Sequence, residues 1–377
     1  MADVDSLTAT MIDGCERQII DADVRAAFRA VARNQFAPEQ FRAGESFGDF
    51  YDRTKDPESW HKATYSDMPL VTQFDDGSNS GAMQPSSSLS APSIVFRMLY
   101  DAAINAGDKV FEAGTGSGWT AALMSHWVGA ENITTMEFDP TVAATAVENL
   151  AKAGYEPVVI VGDATKGYPD HAPYDRMIWT CALKRIPFAM VEQTRVGGLI
   201  VVPWQSPSGP QSIARLRVIE QGVAMGHFTS RCSFMLNRVQ RENELEADLY
   251  IPDDPKVEGR VGVSHISCAG LMDYADKWMV SFHVGNISYK NVKPSAGGDG
   301  LWLLCGESWS YTYTPEGATE GETWQGGPRD LWTELEAAYA WDESFGRPGI
   351  SRFGMTVTKD TETVWLDHPG NVLLTQT

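Results

Sequence analysis

The stretch Val110-Phe-Glu-Ala-Gly-Thr-Gly-Ser-Gly118 decides the fold. Its first half completes a short apolar run of the β type, Lys109 to Ala113. Its second half sets glycines 114, 116 and 118 two apart, and a helix-like run follows from Trp119 to Trp127. A strand that meets glycines and then a helix lets backbone come close to a ligand, and the helix N-terminus offers N–H groups without partners of their own. The spacing departs from the Gly-x-Gly-x-x-Gly dinucleotide fingerprint, and no Lys-Ser/Thr follows to make a P-loop. Taken alone, Gly-x-Gly-x-Gly also fits an ordinary tight turn.

Downstream, short apolar runs alternate with helical ones. Ile133–Glu137, Pro157–Val161, Arg176–Thr180 and Leu199–Val202 read as strands, and a helix over roughly Thr141–Ala153 is closed by Gly154. Such alternation implies an α/β fold, a parallel sheet with helices on both faces. Ala214–Glu220 and Phe228–Asn237 read as an antiparallel hairpin at the sheet edge. Glu137 ends the second strand and Asp163 follows the third. Strand ends of an open parallel sheet converge on one crevice, so the glycine loop, Glu137 and Asp163 support each other. Glu137 can accept both hydroxyls of a ribose, although either acid alone also fits a solvated strand end. A nucleoside-bearing ligand without a pyrophosphate fits best, and S-adenosylmethionine is the candidate.

Before the sheet, Val24, Ala27, Phe28 and Val31 recur at helical spacing within residues 20–40, and Pro38 ends the run. Ala43 to Ser90 reads mostly as loop, with Asp75–Gly81 rich in turn residues. After Arg238 the character changes: Arg241–Asp248 is a charged stretch and Pro252-Asp-Asp-Pro255 a linker. Residues 241–377 are expected to form an α+β module. Its strand-like runs are Trp278–Val284, Leu301–Leu304 and Ser310–Tyr313, and one helix, capped by Asp330, buries Leu331, Leu335, Ala338 and Tyr339. A closing hairpin spans Phe353–Val357 and Thr363–Leu366. The expected division is thus a catalytic domain, 1–240 (N-terminal helix and substrate loop 1–105, cofactor core 106–240), and an accessory domain, 241–377. No repeat of 20–50 residues is present.

The chain has 377 residues and a net charge of −20. That charge argues against a nucleic-acid backbone or an anionic membrane surface as partner. No run approaches a membrane span, and Met1-Ala-Asp-Val-Asp-Ser6 lacks the basic flank and apolar core of a secretory signal. Five scattered cysteines without a Cys-x-x-Cys pair read as reduced thiols of a cytoplasmic protein. Seven dispersed histidines give no metal-ligand pattern, so no metal is expected. Nothing in the sequence sets an oligomeric state.

Over roughly residues 15–238 the chain resembles the protein-L-isoaspartate O-methyltransferases. The blocks that carry the resemblance are Val24–Arg33 with Phe36-Ala-Pro38, Tyr65-Ser-Asp-Met-Pro-Leu70, Ser88-Leu-Ser-Ala-Pro92, Glu112–Trp119, Gly162-Asp163, Ala172-Pro-Tyr-Asp175 and Gly197–Pro203. The resemblance implies a Rossmann-like class I S-adenosylmethionine-dependent methyltransferase sheet. It implies that Ser90, with Asp67 shaping its pocket or merely capping a turn, serves the acceptor carboxylate, although Ser-Ala-Pro also suits a plain helix start. It also implies a methyl-donor site of Glu112, Gly114, Thr115, Gly116, Gly118, Glu137, Phe138, Asp163 and Ala164, and a substrate edge of Ser88, Thr180, Cys181 and Ala182.

Three departures stand out. Leu70 to Ser90 is longer than in the family, Trp179-Thr-Cys-Ala-Leu-Lys184 replaces the family's Val-Thr-Ala-Ala-Ala-Pro, and the C-terminal module has no counterpart in the ordinary repair enzyme. The chain is similar in layout to a divergent branch that methylates a normal aspartate in ribosomally made, macrocyclic peptides (lanthipeptides and graspetides), leading to an aspartimide. A modified precursor peptide is then the expected partner. Repair of isoaspartate and a catalytically idle peptide-binding module are the alternatives; intact Gly114, Gly116, Gly118 and Glu137 argue against the idle module. Seven tryptophans after residue 250 fit either a peptide clamp or ordinary core.

Overall fold

A computed structural model describes residues 3–15, 21–78, 80–241, 250–268, 271 and 274–377. The chain opens with α1 (Val4–Cys15) and α2 (Ala22–Ala30). Asp21 caps α2 by accepting from the Asp23 and Val24 amides, and the expected Val24, Ala27 and Phe28 form its buried face. The stretch from Ala43 to Ser90, expected to be loop, is largely regular. Strands β1 (Gln40–Ala43), β2 (Asp49–Asp52), β3 (Leu70–Phe74) and β4 (Pro85–Leu89) form an antiparallel sheet in the order β2-β1-β3-β4, and α3 (Pro57–Thr64) lies between β2 and β3. Its strands are short and polar, so alternation is faint; Phe41, Ala43, Leu70 and Leu89 supply the buried side. Asp75–Ser78 lies at the tip of the β3–β4 hairpin, which leads into α4 (Pro92–Ala102).

The parallel strands lie where the apolar runs place them: β5 (Val110–Ala113), β6 (Ile133–Glu137), β7 (Val158–Val161), β8 (Tyr174–Trp179) and β9 (Thr194–Gln205), joined by α5 (Trp119–Val128), α6 (Pro140–Lys152) and the short α7 (Phe188–Glu192). Every residue of β5 and β6 is buried, as a strand covered on both faces requires. The order β9-β8-β5-β6-β7 reverses direction between β5 and β8. That switch point puts the ligand crevice at the carboxyl ends of these two strands.

Beyond β9 the sheet continues antiparallel through β10 (Gln211–Glu220) and β11 (Val223–Cys232), which stops short of the expected Asn237. This hairpin does not close the edge. After α8 (Pro255–Glu258), β12 (Arg260–Ser264), α9 (Tyr274–Val284), β13 (Ser288–Val292), β14 (Asp299–Cys305), β15 (Ser308–Thr314), β16 (Gly321–Gly326) and α10 (Leu331–Ser344), the chain returns. Strands β17 (Phe353–Val357), β18 (Glu362–Leu366) and β19 (Val372–Gln376) add to β11, giving a ten-stranded sheet.

The expected division near residue 240 therefore does not separate two cores. β12–β16 form their own five-stranded sheet, but Trp204 of β9 and Phe228 of β11 meet Trp278 of α9 edge-on, and Trp278 meets Phe353 of β17 likewise. Trp278–Val284, expected as a strand, lies in helix α9; a short run in which every residue but His283 is buried carries no period that tells strand from helix. Of the seven late tryptophans, Trp278, Trp309, Trp324, Trp332 and Trp365 are buried, whereas Trp302 and Trp341 are half-buried. The charged stretch 242–248 lies outside the described residues. Among the described residues no helix is long and apolar enough to cross a membrane.

Candidate active site

The glycine loop between β5 and α5 is built from below. Glu112 of β5 is fully buried and accepts a hydrogen bond from Thr135 Oγ1 on β6 at 2.6 Å, and Thr135 pairs with Thr115 Oγ1 at 2.7 Å. Burial, with Glu137 adding repulsion, pushes the Glu112 carboxyl up to about 8 although Thr135 opposes the shift. Glu112 therefore has no surface with which to touch a methyl donor, and its part is to hold the loop. Above it, Gly114, Gly116 and Gly118 all have positive φ. A Cβ at Gly114 would stand 2.6 Å from Thr180 Oγ1, and one at Gly116 3.3 Å from the Ser88 carbonyl oxygen. The loop thus directly meets the segments of Ser88 and Thr180, both expected from sequence at the substrate edge, and only glycine fits.

Glu137, at the end of β6, accepts from the Gly116 amide at 3.0 Å and from the Asp139 amide at 3.1 Å. Phe138 beside it is about half exposed (48%), and Ala164 is buried. Asp163 is less free than its strand-end position implies: one oxygen is taken by the Thr165 amide and hydroxyl, and the other lies 3.8 Å from Lys166 Nζ. The loop suits a polar ligand. The first turn of α5 has no side-chain cap, so its amides are left for such a ligand.

On the expected acceptor side, Ser90 opens the β4–α4 connection, and its half-buried hydroxyl makes no hydrogen bond with a described residue. It does not cap α4. That task falls to Asp67, whose Oδ1 accepts from the Ser93 amide at 2.9 Å. The backbone around Ser90 is fixed by Arg33, fully buried, which donates to the carbonyls of Thr64, Ser66, Met68, Leu89 and Ser90 and lies over the Trp119 ring. Thr180 Oγ1 donates to the Gly114 carbonyl at 2.6 Å. Cys181 is half-buried, and desolvation pushes its thiol up to about 12, which keeps it a neutral thiol at neutral pH. Ala182 has no exposed surface and both its backbone groups are bonded, to Met235 and Asn237, so its expected place at the substrate edge is corrected.

Residues 51–241 match the family model described as protein-L-isoaspartate(D-aspartate) O-methyltransferase. The chain belongs to this family. Among its relatives, the protein-L-isoaspartate O-methyltransferase of Ignicoccus hospitalis is 41% identical over 202 residues, 53% of this chain and 82% of the relative. That of Methanosarcina mazei is 34% identical over 215 residues, 56% of this chain and 75% of the relative. A solved structure named protein-L-isoaspartate O-methyltransferase aligns over 96% of this chain and 100% of its own, with TM-score 0.55 and 17% identity, a likeness of fold alone. The C-terminal part therefore does have a counterpart in a protein of that name, contrary to the expectation from sequence. The chain is a carboxyl methyltransferase of this family, and S-adenosylmethionine is its methyl donor.

Sequence reasoning missed Arg33, whose spacing from Ser90 is too long for any local pattern, and Arg238, which lies just past the β11 strand. Arg238 bonds Asp139 Oδ2 at 3.2 Å, Gln73 Oε1 at 2.8 Å and Asp76 Oδ1 at 3.1 Å. Gln73 and Asp76 belong to the segment noted from sequence as unusually long, the one available clue.

Proposed function

We propose that this methyltransferase esterifies the side-chain carboxylate of a normal aspartate in a ribosomally made, macrocyclic peptide, and that the ester closes to an aspartimide. What carries the reading is the placement of this chain's departures from its family. The lengthened hairpin β3–β4 and the 180–184 segment both border the glycine loop, through Ser88 and Thr180. The side that holds the methyl donor is kept, and the side that meets the acceptor is rebuilt.

In this reading the α5 amides and the glycine backbone take the polar tail of the methyl donor. Glu137 takes its ribose, and Asp163, Phe138 and Ala164 border its adenine. The donor supplies a methyl group on a positively charged sulfur. An acceptor carboxylate is already ionised, so no general base is needed; Ser90 donates a hydrogen bond that aims one oxygen, and positioning of this kind is worth up to ~7–11 kcal/mol. A carboxylate oxygen bonds the methyl carbon while the carbon–sulfur bond breaks and its pair stays on sulfur. Later the following backbone nitrogen bonds the ester carbonyl, loses its proton, and methanol leaves.

Repair of isoaspartate is the second reading, favoured by the 41% identity to the Ignicoccus hospitalis relative. Intact mass spectrometry separates the two. With the donor and a macrocyclic peptide carrying aspartate, the first reading expects a 14 Da gain followed by methanol loss to a product 18 Da below the starting mass, the arithmetic of ester and imide. Turnover confined to a linear isoaspartyl peptide establishes the second.

A further inference from the structure

We propose that Arg238 is a positioning residue that fastens the β3–β4 hairpin across the methyl-donor site and so makes donor affinity depend on the strand leading to Ser90. The proposal rests on the family's methyl donor and not on the identity of the acceptor peptide. Asp139 is the hub. Its amide donates to Glu137 Oε1 at 3.1 Å, and its Oδ1 caps α6 by accepting from the Thr141 and Val142 amides. The remaining oxygen, Oδ2, accepts from Gln73 Nε2 at 2.9 Å and Arg238 Nη1 at 3.2 Å. Arg238 then reaches the hairpin at three further points: Gln73 Oε1 at 2.8 Å, the Ser86 carbonyl at 3.3 Å and Asp76 Oδ1 at 3.1 Å. Ser86 Oγ donates to the same Gln73 oxygen at 2.9 Å, and Arg241 reinforces the tip by pairing with Asp76 at 2.7 Å.

One planar guanidinium, its side chain only 16% exposed, thus joins the segment after β11, the hairpin and the turn after Glu137. A lysine cannot copy this. It offers a point charge on a flexible stem where four acceptors in different directions need a fork. Exposed ion pairs contribute little stability, and the Asp76 arm is partly exposed, so the arrangement is better suited to fixing geometry than to adding stability. The hairpin carries Ser88, whose carbonyl faces Gly116, and ends beside Ser90. A single latch therefore sets the relation between the acid at the donor's ribose, the glycine loop and the acceptor serine.

The test uses the full chain. S-adenosylhomocysteine binding is measured by titration calorimetry for the parent, Arg238→Lys and Gln73→Leu, with hydrogen exchange of residues 70–89 followed with and without this ligand. We expect at least a fivefold rise in Kd for each variant, and ligand-induced protection of the hairpin in the parent that is lost in both. Unliganded melting midpoints should stay near the parent's, which a general loss of structure would not allow. A Kd change below fivefold, or protection retained in the variants, overturns the proposal. If Arg238→Lys fails to fold, Gln73→Leu decides by the same criteria, because it leaves the Arg238–Asp139 pair in place. Failure of peptide methylation with donor binding intact bears on the acceptor reading alone.

Discussion

Glu112 holds a proton at neutral pH because burial pushes its carboxyl up to about 8. In the unfolded chain the same group ionises near its ordinary value of about 4.5. Between those two values the folded protein binds more protons than the unfolded one, so stability falls as pH rises from about 4.5 to 8 and levels off above. Glu112→Gln keeps an acceptor for Thr135 and removes the ionisation. Chemical denaturation of this variant across that range should give a flatter pH profile, with a gain of ~1–3 kcal/mol at pH 8. At Ser90 the expected effect is kinetic. Loss of one hydrogen bond to a charged carboxylate is worth ~1.5–3 kcal/mol, so Ser90→Ala should lower the single-turnover methylation rate roughly tenfold to a hundredfold. S-adenosylhomocysteine affinity should be unchanged. At this scale the sequence was most legible where chemistry is local. The three glycines and Glu137 follow from neighbours in the chain, whereas Asp67 as the cap of α4 and Arg33 as the support of Ser90 depend on long-range contacts that leave no pattern.

Elements were legible where burial is two-sided or where a helix has one wet face. Strands β5–β9 and helices α2, α6 and α10 announce themselves in this way, and the polar hairpin β3–β4 does not, because its register is held by backbone and by Arg238 rather than by apolar alternation. Helix α9 was lost for the opposite reason: surrounded by Trp204, Phe228 and Phe353, it has no polar stripe to reveal its period. Strand β18 carries a second legibility gap, Glu362. This carboxylate is buried, accepts from Trp204 Nε1 at 2.7 Å and from the Ile186 amide at 2.8 Å, and is pushed by burial up to about 7. It joins the last hairpin to the segment just after β8. Glu362→Ala would leave two buried donors without an acceptor, and urea titration should record a loss of ~2–5 kcal/mol. Little change in the unfolding midpoint would show that the hairpin is not anchored there.

For the molecule as a whole, the family relationship covers residues 51–241, yet the sheet does not end there. Strand β11 pairs with β17, and the cluster around Trp278 and Phe282 packs against Trp204 of β9. Truncation after Arg241 should therefore not leave a folded catalytic domain. It would bare the β11 edge and the apolar side of Trp204, and light scattering of the purified fragment should show association that the full chain lacks. A monodisperse fragment with a cooperative melt would refute this. Composition could not reveal such sharing, since a shift in residue usage near 240 marks a change of sheet, not a gap between cores.

Arg33 carries a last implication for how this chain tolerates change. Its guanidinium sits fully buried and is depressed by that burial to about 9, fixed by carbonyl oxygens rather than by a contacting carboxylate. In a saturation scan, position 33 should score as intolerant as the serine 57 positions later whose carbonyl it grips, with lysine faring no better than alanine. Read without coordinates, such a score would enrol Arg33 among the reacting groups, although its task is scaffolding.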